Sequence, residues 1–226
     1  MRLDGKSFLA ELIGTFTLVF FGAGAIMTQN ANQIVGMTGI AVAHGIAILV
    51  MIYAFGHISG GHFNPAVTFA AVVSRRMSPA MGLMYWVAQC LGAALGAWVL
   101  LMAWHGPTEA HLGTPTVAAG VSPTLAMCLE GVMAFMLVIV IAGSAFDLRA
   151  SKGFQGLAIG LTLVGNILAG GALTGASFNP ARAFGPALVS GYWQDQWLYW
   201  VGPLLGGAIA VLVYDNLLGE RNPNRS

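Results

Sequence analysis

Ser59-Gly60-Gly61-His62-Phe63-Asn64-Pro65-Ala66 returns 115 residues later as Thr174-Gly175-Ala176-Ser177-Phe178-Asn179-Pro180-Ala181. Each copy ends in Asn-Pro-Ala, which reads as a helix start. Asn is a favoured N-cap, and proline at the first helical position sacrifices no hydrogen bond that a helix would use. The apolar segments that the triplets open, roughly 64–74 and 179–190, are too short to cross a ~30 Å hydrocarbon core. At ~1.5 Å per residue, two such segments stacked end to end make about one membrane thickness. The repeat therefore predicts two re-entrant half-helices acting together as one broken span.

Around them lie six longer apolar segments, approximately 8–28, 34–56, 81–104, 124–146, 154–173 and 196–218. Of 226 residues, 57% are hydrophobic and 8% charged, whereas soluble domains average roughly 25% charged. The fold class expected is an all-α membrane protein with six transmembrane helices and two re-entrant half-helices. Glu11 pairs with Glu130, and Tyr85-Trp86-Val87 with Tyr199-Trp200-Val201, so the likeness of the halves extends beyond the triplets. Three spans per half is an odd number, so the second copy runs upside down relative to the first. The chain reads as a single channel domain, 1–226, of inverted copies at about 5–105 and 123–218.

Basic residues set the orientation. With both termini cytoplasmic, Arg2, Lys6, Arg75, Arg76, Arg149, Lys152, Arg221 and Arg225 all fall inside, eight of the nine. The ninth, Arg182, directly follows the second triplet. A buried arginine in a membrane is costly and is normally retained for function.

The inversion brings the two half-helix N-termini together near the midplane. Non-helical backbone survives at that depth only inside protein or along a water-filled cavity. The Gly-, Ser- and Thr-rich stretches Gly56 to Phe63 and Gly170 to Phe178 are expected to offer carbonyls to such a cavity. The positive helix ends and the amides of Asn64 and Asn179 supply donors, which suits neutral solutes and disfavours cations, protons included.

With His57 to Thr68 and Gly175 to Arg182 in view, the chain resembles the aquaporin family of major intrinsic proteins over roughly residues 5 to 218. That resemblance implies a homotetramer with one pore per protomer, no cofactor, and water or another small neutral solute as permeant. It also implies an outer constriction at His44, Ile167, Ala176 and Arg182. This set resembles the plant vacuolar-type branch, some members of which are associated with ammonia as well as water. Ile167 removes a donor and Ala176 widens the wall, leaving His44 and Arg182 as donors. A glycerol facilitator is the alternative within the family, but Ala183 after Arg182, the Tyr199-Trp200 pair, Thr116 and Ala187 fit the water branch.

Glu11 and Glu130, carboxylates inside apolar helices, are expected to accept hydrogen bonds from the re-entrant loop of their own half. His62 is a candidate pore-lining residue. His57 reads as a loop contact, with gating by protonation as the alternative, and His105 and His111 as exposed residues of the external segment Trp104 to Ser122. Gly92 with Gly96 and Gly202 with Gly206 are spaced for close helix approach, and Tyr192, Trp193 and Trp197 for anchoring at an interface. Cys90 and Cys128 propose neither a metal site nor a disulfide. Net charge is +1 without a charged block, so no nucleic-acid partner is expected. No catalytic motif points to an enzyme. A secondary transporter, which can also be built from inverted repeats, would need ionisable coupling groups where this midplane offers two asparagines. The compact termini suggest a microbial plasma membrane.

Overall fold

Asp4 accepts hydrogen bonds from the backbone nitrogens of Lys6 (3.1 Å) and Ser7 (3.3 Å) and so opens the first helix, α1 (Gly5–Asn32). It is followed by α2 (Gly36–Ser59), the short α3 (Pro65–Val73) and α4 (Pro79–Ala103), then by α5 (Pro123–Ile141), α6 (Gln155–Thr174), the short α7 (Pro180–Ser190) and α8 (Leu198–Val213). The order long, long, short, long thus occurs twice. The computed structural model describes residues 4–105 and 110–219. Arg2, Arg221 and Arg225, and positions 106–109 of the external segment, lie outside the described residues.

Among the described residues six helices are long and apolar enough to cross a membrane, with α5 and α8 extended by wider π-type turns, Ala142–Phe146 and Tyr214–Leu218. Helices α4 and α5 both begin on Ser-Pro. Ser78 and Ser122 cap the nitrogens of Met81 and Leu125, and proline takes the first helical position. This is why α4 starts two residues before its apolar run. Along α4, Leu83, Val87, Leu91, Leu95, Trp98 and Met102 are all exposed. Their spacing of three and four makes one apolar stripe pointing away from the core, a face that only lipid or another apolar surface would cover. The protein is an integral, multi-pass membrane protein.

Small residues set the packing. A Cβ on Gly92 would collide with the Leu12 carbonyl, and one on Gly96 would lie 2.8 Å from the Phe16 carbonyl, so α4 rests on the α1 backbone. In the other half, Gly202 and Gly206 bring α8 against the carbonyls of Met127 and Gly131 on α5. Without a hydrophobic drive between helices in lipid, such close approach is what gains dispersion contact. Helices α1 and α5 of these tight pairs also reach the centre, where they meet α2, α6, α3 and α7.

The re-entrant loops are shorter than the glycine-rich stretches suggested. Residues 56–59 complete α2 and residues 170–174 complete α6, so only 60–64 and 175–179 are non-helical. A terminal backbone in a bilayer gains by extending the helix until a left-handed residue stops it. Gly60 (φ 89°) and Gly175 (φ 78°) are those stops, their nitrogens bonding the carbonyls of Gly56 and Gly171. His57 therefore sits in the last turn of α2 rather than on a loop.

The candidate solute pathway

Phe63 (φ 48°) and Phe178 (φ 33°) are held in a left-handed conformation that costs a non-glycine residue about 1–3 kcal/mol unless its surroundings enforce it. The enforcement comes from two fully buried carboxylates. Glu11 Oε1 accepts from Ser59 Oγ (2.6 Å) and the His62 nitrogen (3.0 Å), and Oε2 from the Phe63 nitrogen (2.7 Å) and Gln89 Nε2 (2.7 Å). Glu130 Oε1 accepts from Thr174 Oγ1 (2.6 Å) and the Ser177 nitrogen (3.0 Å), and Oε2 from the Phe178 nitrogen. A tyrosine closes each ring of contacts: Tyr85 donates to the Ser59 carbonyl and Tyr199 to the Thr174 carbonyl, both at 2.7 Å. Both loops are thus fastened to their own half by the same four-part bracket.

The brackets aim the two triplets at each other. Asn64 Nδ2 donates to the Phe178 carbonyl (3.0 Å), and Asn179 Nδ2 donates to the Phe63 carbonyl (2.9 Å). Each amide oxygen caps its own half-helix: Asn64 Oδ1 accepts from Ala66 (2.8 Å), and Asn179 Oδ1 from Ala181 and Arg182 (both 3.1 Å). One N–H per amide remains, and both asparagines line an enclosed throat of about 20 Å³, room for about one or two waters. Its lining combines the polar residues Asn64, Asn179, His62, Ser177 and Arg182 with the apolar Leu18, Ile48, Val67, Leu137 and Leu163. Beyond His62 it meets a wider vestibule of about 460 Å³, lined by His57, Tyr53 and Gln155 among others.

Arg182 is buried at 2% exposure with two neutral acceptors. Its Nη1 donates to the Gly113 carbonyl (2.7 Å), while Nε and Nη2 face His44 Nε2 at 3.4 and 3.3 Å. His44 Nδ1 lies 2.9 Å from the Ile40 carbonyl, one turn back on α2. A carbonyl only accepts, so Nδ1 carries the proton, and Nε2 of the neutral ring is an acceptor for the guanidinium. His44 therefore offers the solute no donor, which corrects the expectation from sequence. Arg182 keeps one N–H on each terminal nitrogen uncommitted.

His44, Ala176 and Arg182 share the throat, but Ile167 does not line it. It is buried in the apolar core one turn beyond Leu163, on the stripe Ile159, Leu163, Ile167 of α6, and α6 meets the throat through Ile159 and Leu163. Sequence reading missed Gly113, which acts through a backbone carbonyl and so leaves no side-chain signature. The external segment dips inward there, with Leu112 fully buried. His111 is half-buried and stacked on Tyr192 (4.1 Å between centroids, 12° between planes), not free in solvent; His105 is exposed.

Six spanning helices around a throat where two half-helices meet N-terminus to N-terminus define a membrane channel. The family model for major intrinsic protein matches residues 3–214, and the chain belongs to that family. It is 42% identical to aquaporin TIP4-4 of Zea mays, covering 94% of this chain and 86% of that one. Against aquaporin NIP1-1 of Oryza sativa subsp. japonica the figures are 40%, 97% and 77%. In fold it is similar to the crystallographic aquaglyceroporin of Plasmodium falciparum, with a TM-score of 0.84 at 24% identity, over 94% of this chain and 96% of that one. The curated relatives named here are plant proteins, and they lend no support to a microbial plasma membrane.

Proposed function

We propose that the chain is a passive channel that conducts water in single file and excludes ions and protons. The observation that carries this reading is the reciprocal pair of bonds from Asn64 and Asn179, which leaves one amide N–H of each asparagine, beside a positive helix end, at a throat of about 20 Å³. A water passing there turns its oxygen to the amides, which breaks the donor chain that proton hopping requires. Relatives called aquaporins at 40–42% identity support the same reading. Asn64-Pro65-Ala66 and Asn179-Pro180-Ala181 form the midplane station. The outer constriction is assigned to His44, Ala176 and Arg182, with Ile167 one turn beyond Leu163 on the same face of α6. The chain is one channel domain of two inverted copies, with both termini cytoplasmic, working as a homotetramer as the family resemblance implies.

Ammonia is a second permeant on this reading. Ala176 leaves the wall small, and His44 is turned away to Arg182, so the constriction is poorer in donors than its residue types suggest. Purified protein in liposomes, subjected to an osmotic jump in a stopped-flow instrument, tests the main claim. Shrinkage well above that of empty vesicles with a weak temperature dependence is expected, and shrinkage equal to bare lipid would overturn it. The same vesicles given an ammonium pulse should alkalinise faster than empty ones.

A further inference from the structure

The first half holds a buried polar chain that the second half lacks. Gln89 of α4, fully buried, places Nε2 at 2.7 Å from Glu11 Oε2 and 3.0 Å from Thr68 Oγ1. Glu11 Oε2 also accepts the Phe63 N–H, so a carboxylate oxygen faces Gln89 and the amide must turn its nitrogen there. Its Oε1 is left buried without a partner, a cost of about the size of a lost hydrogen bond that the charge-assisted contact to Glu11 outweighs. Both amide hydrogens are then committed, one to Glu11 and one to Thr68. Thr68 Oγ1 is an acceptor towards Gln89 and directs its own hydrogen to its other neighbour, His62 Nδ1, at 3.0 Å. An Nδ1 that accepts leaves the proton of the neutral ring on Nε2.

That Nε2 edge is kept clear. A Cβ on Gly60 would stand 3.2 Å from it, and the ring is braced edge-on against Tyr85 at 5.3 Å. His62 borders both the throat and the vestibule. At the matching positions the second half has Pro203 and Ala183, which carry no side-chain donor or acceptor, and Ser177, whose hydroxyl donates to the Asn179 carbonyl (3.0 Å).

We propose that Gln89 and Thr68 are positioning residues that transmit the polarity of Glu11 to His62, locking His62 as the Nε2–H tautomer so that it presents a standing donor to the permeant where throat meets vestibule. This rests on the channel reading and adds a third donor station, on one side only, to those at the asparagines and Arg182. A permeant oxygen leaving the midplane towards the vestibule is received by an N–H whose direction is set by a carboxylate three hydrogen bonds further back.

Ring-nitrogen-15 spectra of histidine-labelled protein in liposomes test the assignment, with His62→Asn identifying the signal by difference. The wild-type His62 signal should have Nδ1 bare and Nε2 protonated, opposite to His44. Finding the proton on Nδ1 would overturn the proposal, whether or not the vesicles conduct water, so a failure of the relay and a failure of the channel reading are separable. In Thr68→Val, which keeps the shape and removes the hydroxyl, the tautomers should mix and unit water permeability should fall by about fivefold, the equivalent of one hydrogen bond. Thr68→Ser should restore both. A single Nε2–H tautomer persisting in Thr68→Val would equally rule the relay out.

Discussion

The half-helix α3 and the half-helix α7 share a frame and differ in what they carry. Each follows a loop bracketed by a buried glutamate, a hydroxyl at the end of the preceding long helix, and a tyrosine. One position after each triplet, however, α3 has Val67 and α7 has Arg182, and both border the throat. Next come Thr68 against Ala183 and, before the triplets, His62 against Ser177. The shared residues build a backbone conformation that both halves need. The divergent ones face the permeant or orient a group that does, so a symmetric scaffold carries an asymmetric set of donors.

The comparison breaks most severely at the brackets. Glu11→Ala leaves four buried donors without an acceptor and Glu130→Ala leaves three. Each should cost about 3–5 kcal/mol, the range for breaking a buried polar network, with Glu11 the worse. Thermal unfolding in detergent checks this, and equal, mild losses would show that the loops hold themselves. Next in size, Arg182→Val copies Val67 of the first half into the second. Removing this buried cation from the throat should raise proton or cation leak about tenfold or more while water still passes. A dye-reported pH jump across loaded vesicles measures it, and an unchanged leak would assign exclusion to the midplane alone.

The smallest effect lies at the vestibule end, outside the repeated frame. There Tyr214 and Arg149 both bond Asp147, and Arg76 clasps Asp215 with two bonds of 2.7 and 2.8 Å. Arg149 holds the Asp147 carboxyl far below its ordinary value of 3.8, with help from Tyr214. A depressed carboxylate stabilises the fold above its unfolded value and loses that contribution as pH falls towards the folded one. The melting difference between wild type and Asp147→Asn should therefore be flat from neutral pH down to about 4 and shrink only below it. Arg149 stands in solvent, so the difference itself should be small.

Much of this was legible in the chain because the signals are local. Asn-Pro starts a helix wherever it occurs, twenty apolar residues span a membrane in any order, and a duplicated motif announces its partner. Glu11 and Glu130 could be matched to their loops because a carboxylate in an apolar helix must find donors. His44 was legible as a residue and illegible as a function. Its donor faces Ile40 and its acceptor faces Arg182, 138 residues away, and nothing in the local sequence says which nitrogen will hold the proton. Gly113 and the inward dip of its segment left no mark, since a carbonyl belongs to every residue. Ile167 lies one turn beyond Leu163 on the same face of α6, and periodicity gives direction around a helix but not the depth at which the throat narrows.

The sequence by itself determined that this is a membrane protein of six spans with two half-helices meeting at paired asparagines, since those features follow from hydrophobic length and helix capping. Only the tertiary structure decided which way each hydrogen bond at the throat points. Donor direction depends on partners supplied by other helices, and the packing of α1 on α4 and α5 on α8 brings those partners within reach.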